Sequence, residues 1–407
     1  MTFTIRPITD EERPEFRRLM GLVFGFDPPA DGLEPFKAIL EIDRTVSAFD
    51  GDQMIGTAGA FSLDMTVPGG VVPAAGTTMV SVLATHRRRG VLRRMMRAHL
   101  DEARDRGDVL AGLWASESSI YGRFGFGPAV TMYDATIDRG HAAMPGPPKG
   151  PGRVRLVEDG EARALFPVVY EATRLLRPGM FARSDVWWNE RVFRDPESRR
   201  GGATAYRFAI YEEDGAPRGY VKYRAKEDWT DDGLPNGEVR IIDFQAIDLA
   251  AADGLWRFIT SIDLIRTISY WNLPADAPLQ WLLADPRRLT RRISDSLWVC
   301  PVDIPAALAA RAYSAHGRIT IGVTDQFNEW NNGTYLLETD AHGTNCSRSS
   351  SVPLVRLSAA DLGAIYLGGV RALTLAAAGR IEGSLEDIRR VDAMFAWHPA
   401  PWCQEVF

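Results

Sequence analysis

The apolar positions of this chain change period repeatedly, and each change predicts an element. "TVSAFDG" (45–51) and "QMIGTAGAFSLDMTV" (53–67) read as strands around a Gly51–Asp52 turn. "TTMVSVLAT" (77–85) reads as another strand. In "GVLRRMMRAHLDEARDRG" (90–107) the period lengthens, and Val91, Leu92, Met95, His99 and Ala103 fall near one face of a helix. "DVLAGLWAS" (108–116) is apolar without alternation, as a fully buried strand is. "SESSIYGRFGFGPA" (116–129) predicts a short helix with a glycine-punctuated exit.

The same flavour returns further on. "RRGGATAYRFAIYEEDGAPRGYVKYRAKE" (199–227) predicts a hairpin turning at Asp214–Gly215. "GEVRIIDFQAID" (237–248) predicts a strand and "ADGLWRFITSIDLI" (252–265) a helix. The last hundred residues differ. "GRITIGVTD" and "GTYLLETDAHGTNCSRS" predict a β-meander. "SAADLGAIYLGG" and "GSLEDIRRVDAMF" open with Ser358/Asp361 and Ser384/Asp387, spaced as capping boxes. Two seams separate these stretches. "RGHAAMPGPPKGPGR" (139–153) carries linker chemistry, and a vaguer seam lies near 272–280 or 284–296.

Length and composition bound the rest. A chain of 407 residues is too long for one ordinary core, so two or three domains are expected. Apolar content of 45% and charged content of 25% describe a soluble globular protein. There is no apolar run long enough for a membrane span, and the charged N-terminus does not read as a signal peptide. Cys300, Cys346 and Cys403 are odd in number and widely spaced, suggesting neither a disulfide framework nor a zinc site, so a reducing cytoplasm is expected. A net charge of −6 disfavours a general nucleic-acid binder and suits cationic small molecules.

One junction runs against that charge. "HRRRGVLRRMM" (86–96) places Arg87, Arg88 and Arg89 before Gly90, with Arg93 and Arg94 one turn later. A helix N-terminus offers unpaired N–H groups and the positive end of its dipole, and glycine admits a close backbone approach. The combination suits a pyrophosphate. A Rossmann site would need Gly-x-Gly-x-x-Gly and a P-loop Gly-Lys-Ser/Thr, and neither is present. The junction resembles the phosphate turn of the GNAT acetyltransferases, Arg/Gln-x-x-Gly-x-Gly/Ala, with Arg87, Gly90 and Leu92 in those places. Leu92 departs from the small residue of that pattern.

"SESSIYGRFGFGPA" is similar to the Tyr-x-x-x-Gly-Phe element of GNAT enzymes, and with "VSVLATHRRRGVLRRMM" it resembles the Eis (enhanced intracellular survival) branch. "ADLGAIYLGG" looks like the signature of that branch's third domain. The resemblance spans essentially the whole chain. It implies an α+β (α/β) fold: two GNAT-like mixed-sheet domains followed by a sterol-carrier-protein-like α+β domain, at 1–148, 149–290 and 291–407. The second domain lacks a phosphate turn and is expected to be catalytically silent.

The resemblance also implies an acetyl-CoA-dependent N-acetyltransferase without a metal. Backbone groups of Val80, Ser81 and Val82 would hold the thioester and pantetheine arm. Arg88, Arg89, Gly90, Val91, Leu92 and Arg93 would hold the pyrophosphate, and Ser116 and Glu117 would line the far side of the cleft. Tyr121 would be the general acid and the carboxylate of Phe407 the general base. A phenol's ordinary pKa of about 10 suits proton donation to a leaving thiolate. An α-carboxylate of roughly 3.5 is weak for its task unless burial or a water assists. Glu405 and His86 compete for the role.

The implied acceptor is a cationic amine, with aminoglycosides the best-known class. Acidic and aromatic walls are expected from Phe24, Phe26, Asp27, Glu34, Phe36 and Trp114, joined by Glu405. Family members often carry an acid directly before the terminal phenylalanine, where this chain has Val406. Trp187–Trp188, in "RPGMFARSDVWWNERVF", reads as helix packing between domains. A homohexamer is implied as well. Two other classes remain beside the enzyme: a carrier of hydrophobic ligands using the third domain, and a non-catalytic acyl-CoA sensor needing neither Tyr121 nor a free C-terminus.

Overall fold

A computed structural model describes residues 3–407. Met1 and Thr2, which begin the N-terminal stretch examined for a signal peptide, lie outside them. The chain forms two compact units. One joins residues up to Val130 with Pro178–Glu190 and Asp295–Phe407; the other joins Thr131–Arg177 with Arg191–Ser294.

The first unit contains a seven-stranded sheet among the described residues. Its strands are β1 (Thr4–Arg6), β2 (Ser47–Asp50), β3 (Gln53–Val67), β4 (Gly70–Val82) and β5 (Leu110–Trp114), followed in space by Leu297–Pro301 and Gly127–Pro128. β2, β3 and β4 pair antiparallel, while β4 and β5 are parallel and joined through helix α3 (Val91–Asp105). The 51–52 hairpin forms as the pattern predicts.

Leu297–Pro301 was not foreseen as a strand. All five of its residues are buried, and it pairs antiparallel with β5 from Leu297↔Trp114 to Pro301↔Leu110. A short apolar run buried on both faces shows no alternation, which is why periodicity missed it.

The C-terminal module belongs to the same unit. Gly317–Thr324, Gly333–Asp340 and Gly343–Ser349 form the predicted meander. Val355–Ser358 returns parallel to the first of these. Both capping boxes form: Ser358 Oγ accepts from the Asp361 amide, and Ser384 Oγ from the Asp387 amide. Helix Ala359–Tyr366 is buried on every side. A side chain at Gly363 would sit 2.1 Å from the Val299 carbonyl, so glycine is what lets this helix lie against the strand.

The second unit holds a seven-stranded sheet of its own. Arg207–Glu213 and Ala216–Lys226 form the Asp214–Gly215 hairpin, and Gly237–Ala246 pairs with the second of these. The following helix spans Leu249–Ser261, not 252–265: the Asp248 carboxylate caps it at Ala251, and Ile265–Pro274 is a strand parallel to Gly237–Ala246. Thr131–Asp138, which follows the first GNAT-like stretch in sequence, pairs into this second sheet. Among the described residues no helix is long and apolar enough to cross a membrane.

Helix α3 buries Val91, Met95, Met96, His99, Leu100 and Ala103 against the first sheet. His99 is fully buried, and its Nε2 lies 2.7 Å from Thr77 Oγ1. Burial, and secondarily the nearby Arg44 cation, push its pKa down to about 3. The unfolded chain binds this proton near pH 6.5, while the folded chain resists it down to about 3. His99 therefore contributes full stability above pH 6.5, and that contribution falls as pH drops towards 3. Urea unfolding should lose about 1.4 kcal/mol per pH unit below 6 from this group alone. His99→Gln should flatten that slope by one proton's worth; an unchanged slope would refute the assignment.

Candidate active site

The site begins where two strands part. β4 and β5 pair only from Ala74↔Leu110 to Gly76↔Gly112. Beyond Gly76 each strand is held on its outer side alone, β4 by β3 and β5 by Leu297–Pro301. A bulge turns β4 further: Thr57 faces Ser81 and Gly59 faces Thr78, so Met79 and Val80 oppose a single residue. Met79 takes φ +56°, a strained setting for a non-glycine residue. Thr57 Oγ1 donates to the Met79 carbonyl, so the 2.7 Å contact between the Thr57 and Ser81 hydroxyls has Ser81 as donor. The Ser81 side chain thus serves the bulge. What β4 offers towards β5 past Gly76 is backbone, at Val80 and Val82 among others.

The arginine junction follows directly. Arg88 has φ +61° and Gly90 φ +82°, and the space where a Gly90 side chain would stand is open. α3 starts without a side-chain cap, leaving its first amides available. Arg87, Arg88, Arg89, Arg93 and Arg94 are all exposed. Val91 points into the core and Leu92 is half-buried against it, so these two contribute through their backbone. His86 Nδ1 meets Thr85 Oγ1 at 2.8 Å and its Nε2 lies 3.5 Å from Asp50, in a cavity that Arg89 and Val91 also line. The donor set fits a pyrophosphate, with cations and amides around an unobstructed glycine turn.

β5 ends at Trp114, and the candidate residues Ser116, Glu117 and Tyr121 follow it. Tyr121, in the short helix α4 (Ser118–Tyr121), is buried in a cluster with Ala75, Leu113, Phe124, Phe126 and Trp298. Ser116 hydrogen-bonds its phenol. Burial raises the Tyr121 pKa, with Ser116 opposing and Glu117 adding to the rise. Ser116 and Glu117 themselves are exposed.

The C-terminal tail reaches the same place from the other side. The Trp402 amide donates to the Pro178 carbonyl, and Trp114 Nε1 donates to the Glu405 carbonyl at 2.7 Å. The Phe407 ring lies edge-on to Phe181 and Phe61, at 5.4 and 6.5 Å between centroids. Its Cε2 stands 3.4 Å from where a Gly76 side chain would begin. Thus the last residue of the chain packs at the point where β4 leaves β5. Trp114 and Ser116 on one strand end hold the tail and Tyr121 respectively.

Glu405 is placed differently from a wall or a base. It is buried, with Oε1 accepting from Arg183 Nε at 2.5 Å and Oε2 from Trp187 Nε1 at 2.6 Å. Arg183 and Trp187 were not singled out in the sequence as site residues. Their segment runs antiparallel to β3, bridging Met65 to Phe181, and no local motif announces it. Phe36 lies in the core with Phe16, 6.1 Å between rings. Phe24, Phe26 and Asp27 are exposed at the exit of helix α1 (Arg13–Phe24). Glu34 is exposed and paired with Lys37.

Known families match the chain along most of its length. Residues 4–129 match the acetyltransferase (GNAT) domain, residues 179–299 match a further acetyltransferase (GNAT) domain, and residues 304–404 match the sterol carrier protein domain. The chain is 43% identical to an uncharacterized N-acetyltransferase of Streptomyces avermitilis over 92% of each chain. It is 35% identical to the N-acetyltransferase Eis of Mycobacterium tuberculosis over 97% of each. The crystal structure of Eis1 from Mycobacterium abscessus matches over 100% of both chains, with a TM-score of 0.86 and 28% identity.

The Glu405 arrangement generates a test. Arg183 is almost wholly buried, so removing its carboxylate strands a charge. Glu405→Ala should cost about 3–5 kcal/mol in urea unfolding at neutral pH. A cost below about 1 kcal/mol would mean that the pair is solvated and the tail loosely held.

Proposed function

The chain belongs to the Eis-type GNAT N-acetyltransferases, and from that premise we propose that it moves the acetyl group of acetyl-CoA directly onto an amine of a cationic, aminoglycoside-like acceptor. The observation that carries this reading is the convergence at the β4–β5 split. A phosphate-suited turn, a buried phenol and the terminal carboxyl-bearing residue are all tied to the ends of those two strands.

Acetyl-CoA is the donor substrate, held at its pyrophosphate by Arg88, Arg89, Gly90 and Arg93 and by the first amides of α3. Backbone N–H groups of β4 at Val80 or Val82 donate to the thioester oxygen as it gains negative charge. The Phe407 carboxylate takes a proton from the acceptor ammonium, directly or through water, and the freed amine attacks. Tyr121 gives its proton to the departing sulfur, and the proton that the acylated nitrogen sheds returns to the Tyr121 phenolate directly or through water. Ser116 steadies the phenol and Trp114 steadies the tail. With its carboxylate already engaged by Arg183 and Trp187, Glu405 is a poorer base than Phe407 and anchors the tail instead. Exposed Phe24 and Asp27, with Trp114, are assigned to acceptor binding. A homohexamer in a cytoplasmic setting completes the proposal, by family membership.

Thiol release from acetyl-CoA, measured against aminoglycosides, diamines and lysine peptides, tests this. Turnover is expected with aminoglycosides, and one alanine added after Phe407 should abolish it. Turnover indifferent to the extension would move the base elsewhere. Tyr121→Phe should lower kcat by about a hundredfold or more. Because Tyr121 is raised above the ordinary phenol range, it stays protonated past pH 10, and the wild-type rate should show no basic loss from it below that pH. A basic limb near pH 8 that vanishes in Tyr121→Phe would contradict the environment described.

A further inference from the structure

The loop "DQFNEWNN" (325–332) of the C-terminal module joins strands Gly317–Thr324 and Gly333–Asp340. Its sequence makes it stiff. Asp325 Oδ1 accepts the amides of Phe327 and Asn328 at 3.0 and 2.8 Å, and Asn332 closes the loop by accepting the Asp325 amide at 2.7 Å. The loop is also fastened outward. Asn331 Nδ2 donates to the Pro301 carbonyl, and Trp330 Nε1 donates to the Val302 carbonyl.

Phe327 is 1% exposed and packs between the segment after Tyr121 and helix α3. On one side it meets Phe124 edge-on at 4.8 Å, three residues beyond Tyr121 and in the same buried cluster. On the other side it faces α3. The Arg97 guanidinium lies 4.2 Å from the Phe327 ring centroid and donates to the Phe327 carbonyl. Arg93, one turn earlier on the same face, lies 5.3 Å from that centroid. Arg104 completes the row over Trp330 at 5.0 Å.

Building on the acetyl-CoA reading above, we propose that this loop is part of the donor site, with Phe327 holding Arg93 in place for the phosphates of CoA. An arginine free in solvent loses rotamer freedom when it takes a phosphate. A ring face that already attracts the guanidinium removes part of that cost. Phe327 is thus a positioning residue acting through Arg93, and Arg97 positions Phe327. The sterol-carrier-like module thereby serves acetyl transfer at the nucleotide end of the donor, whether or not it ever carries a lipid.

The test compares two thioesters, acetyl-CoA and S-acetylpantetheine, which lacks the pyrophosphate. The readout is the ratio of their kcat/KM values with one amine. Phe327→Leu should lower that ratio about five- to tenfold. Arg93→Gln should lower it at least as far, and the double variant no further than Arg93→Gln alone. Should Phe327→Leu fail to fold, Arg97→Gln carries the test, because it releases the loop from α3 at a partly exposed position. An unchanged ratio in a folded variant, or effects of Phe327 and Arg93 that multiply, would overturn the proposal. If the wild type turned over neither thioester, the acetyltransferase reading would fall. Calorimetric affinities for CoA against pantetheine would then read the same ratio and judge Phe327 separately.

Discussion

The separation of β4 from β5 after Gly76 is the constraint on which the rest depends. Parallel neighbours normally continue pairing, because unpaired backbone groups are costly away from water. Here each strand keeps its outer partner, while the backbone groups that face the split past Gly76 have no ladder partner among the described residues. The bulge at Met79 adds twist to β4, while Leu297–Pro301 pairs with β5 along its whole length. The strained Met79 backbone persists because Thr57 and Ser81 hold the turn from the side. What results is a β4 edge of unpaired backbone past Gly76, followed directly in the chain by the arginine turn.

The split also explains why the C-terminal module cannot be treated as an appendage. It shares its unit with the first sheet, and helix Ala359–Tyr366 lies against Val299 through Gly363. The tail then returns to Gly76, where any side chain would collide with Leu63 and press on the Phe407 ring. Arg183 and Trp187 saturate Glu405 and hold the tail by charge-assisted hydrogen bonds in a buried setting. The chain's last residues are thereby tied by buried hydrogen bonds and ring contacts, unlike the frayed ends of most domains.

Charge is arranged locally rather than globally. The chain carries a net −6, yet the turn before α3 presents five arginines within eight residues of sequence. Two of the five lie over rings, Arg94 over Phe3 and Arg93 over Phe327, and Arg97, one turn further along α3, shares the Phe327 ring. Guanidinium groups stacked this way keep their charge and their donors while losing rotamer freedom. A negative net charge and a local run of exposed arginines are compatible because screening confines each field to about 10 Å or less.

The sequence by itself determined the elements whose signals are local. The hairpin at Gly51–Asp52, the α3 face through His99, the Ser358 and Ser384 caps and the glycine turn after Arg89 all rest on residues within one turn or one strand of each other. Motif resemblance then fixed the family, since Tyr121, Gly125 and Phe126 follow the arginine junction in one short stretch. What only the tertiary structure decided are pairings across long separations in sequence. Leu297–Pro301 beside β5, Arg183 and Trp187 on Glu405, Phe407 against Gly76 and Phe327 beneath Arg93 each join residues from distant parts of the chain. Nothing in the sequence near any one of them names its partner, because an apolar run or a lone arginine has the same local preference wherever it finally packs. Glu405 shows the consequence: beside the terminus it reads as a base or a wall, and only its two buried donors make it an anchor.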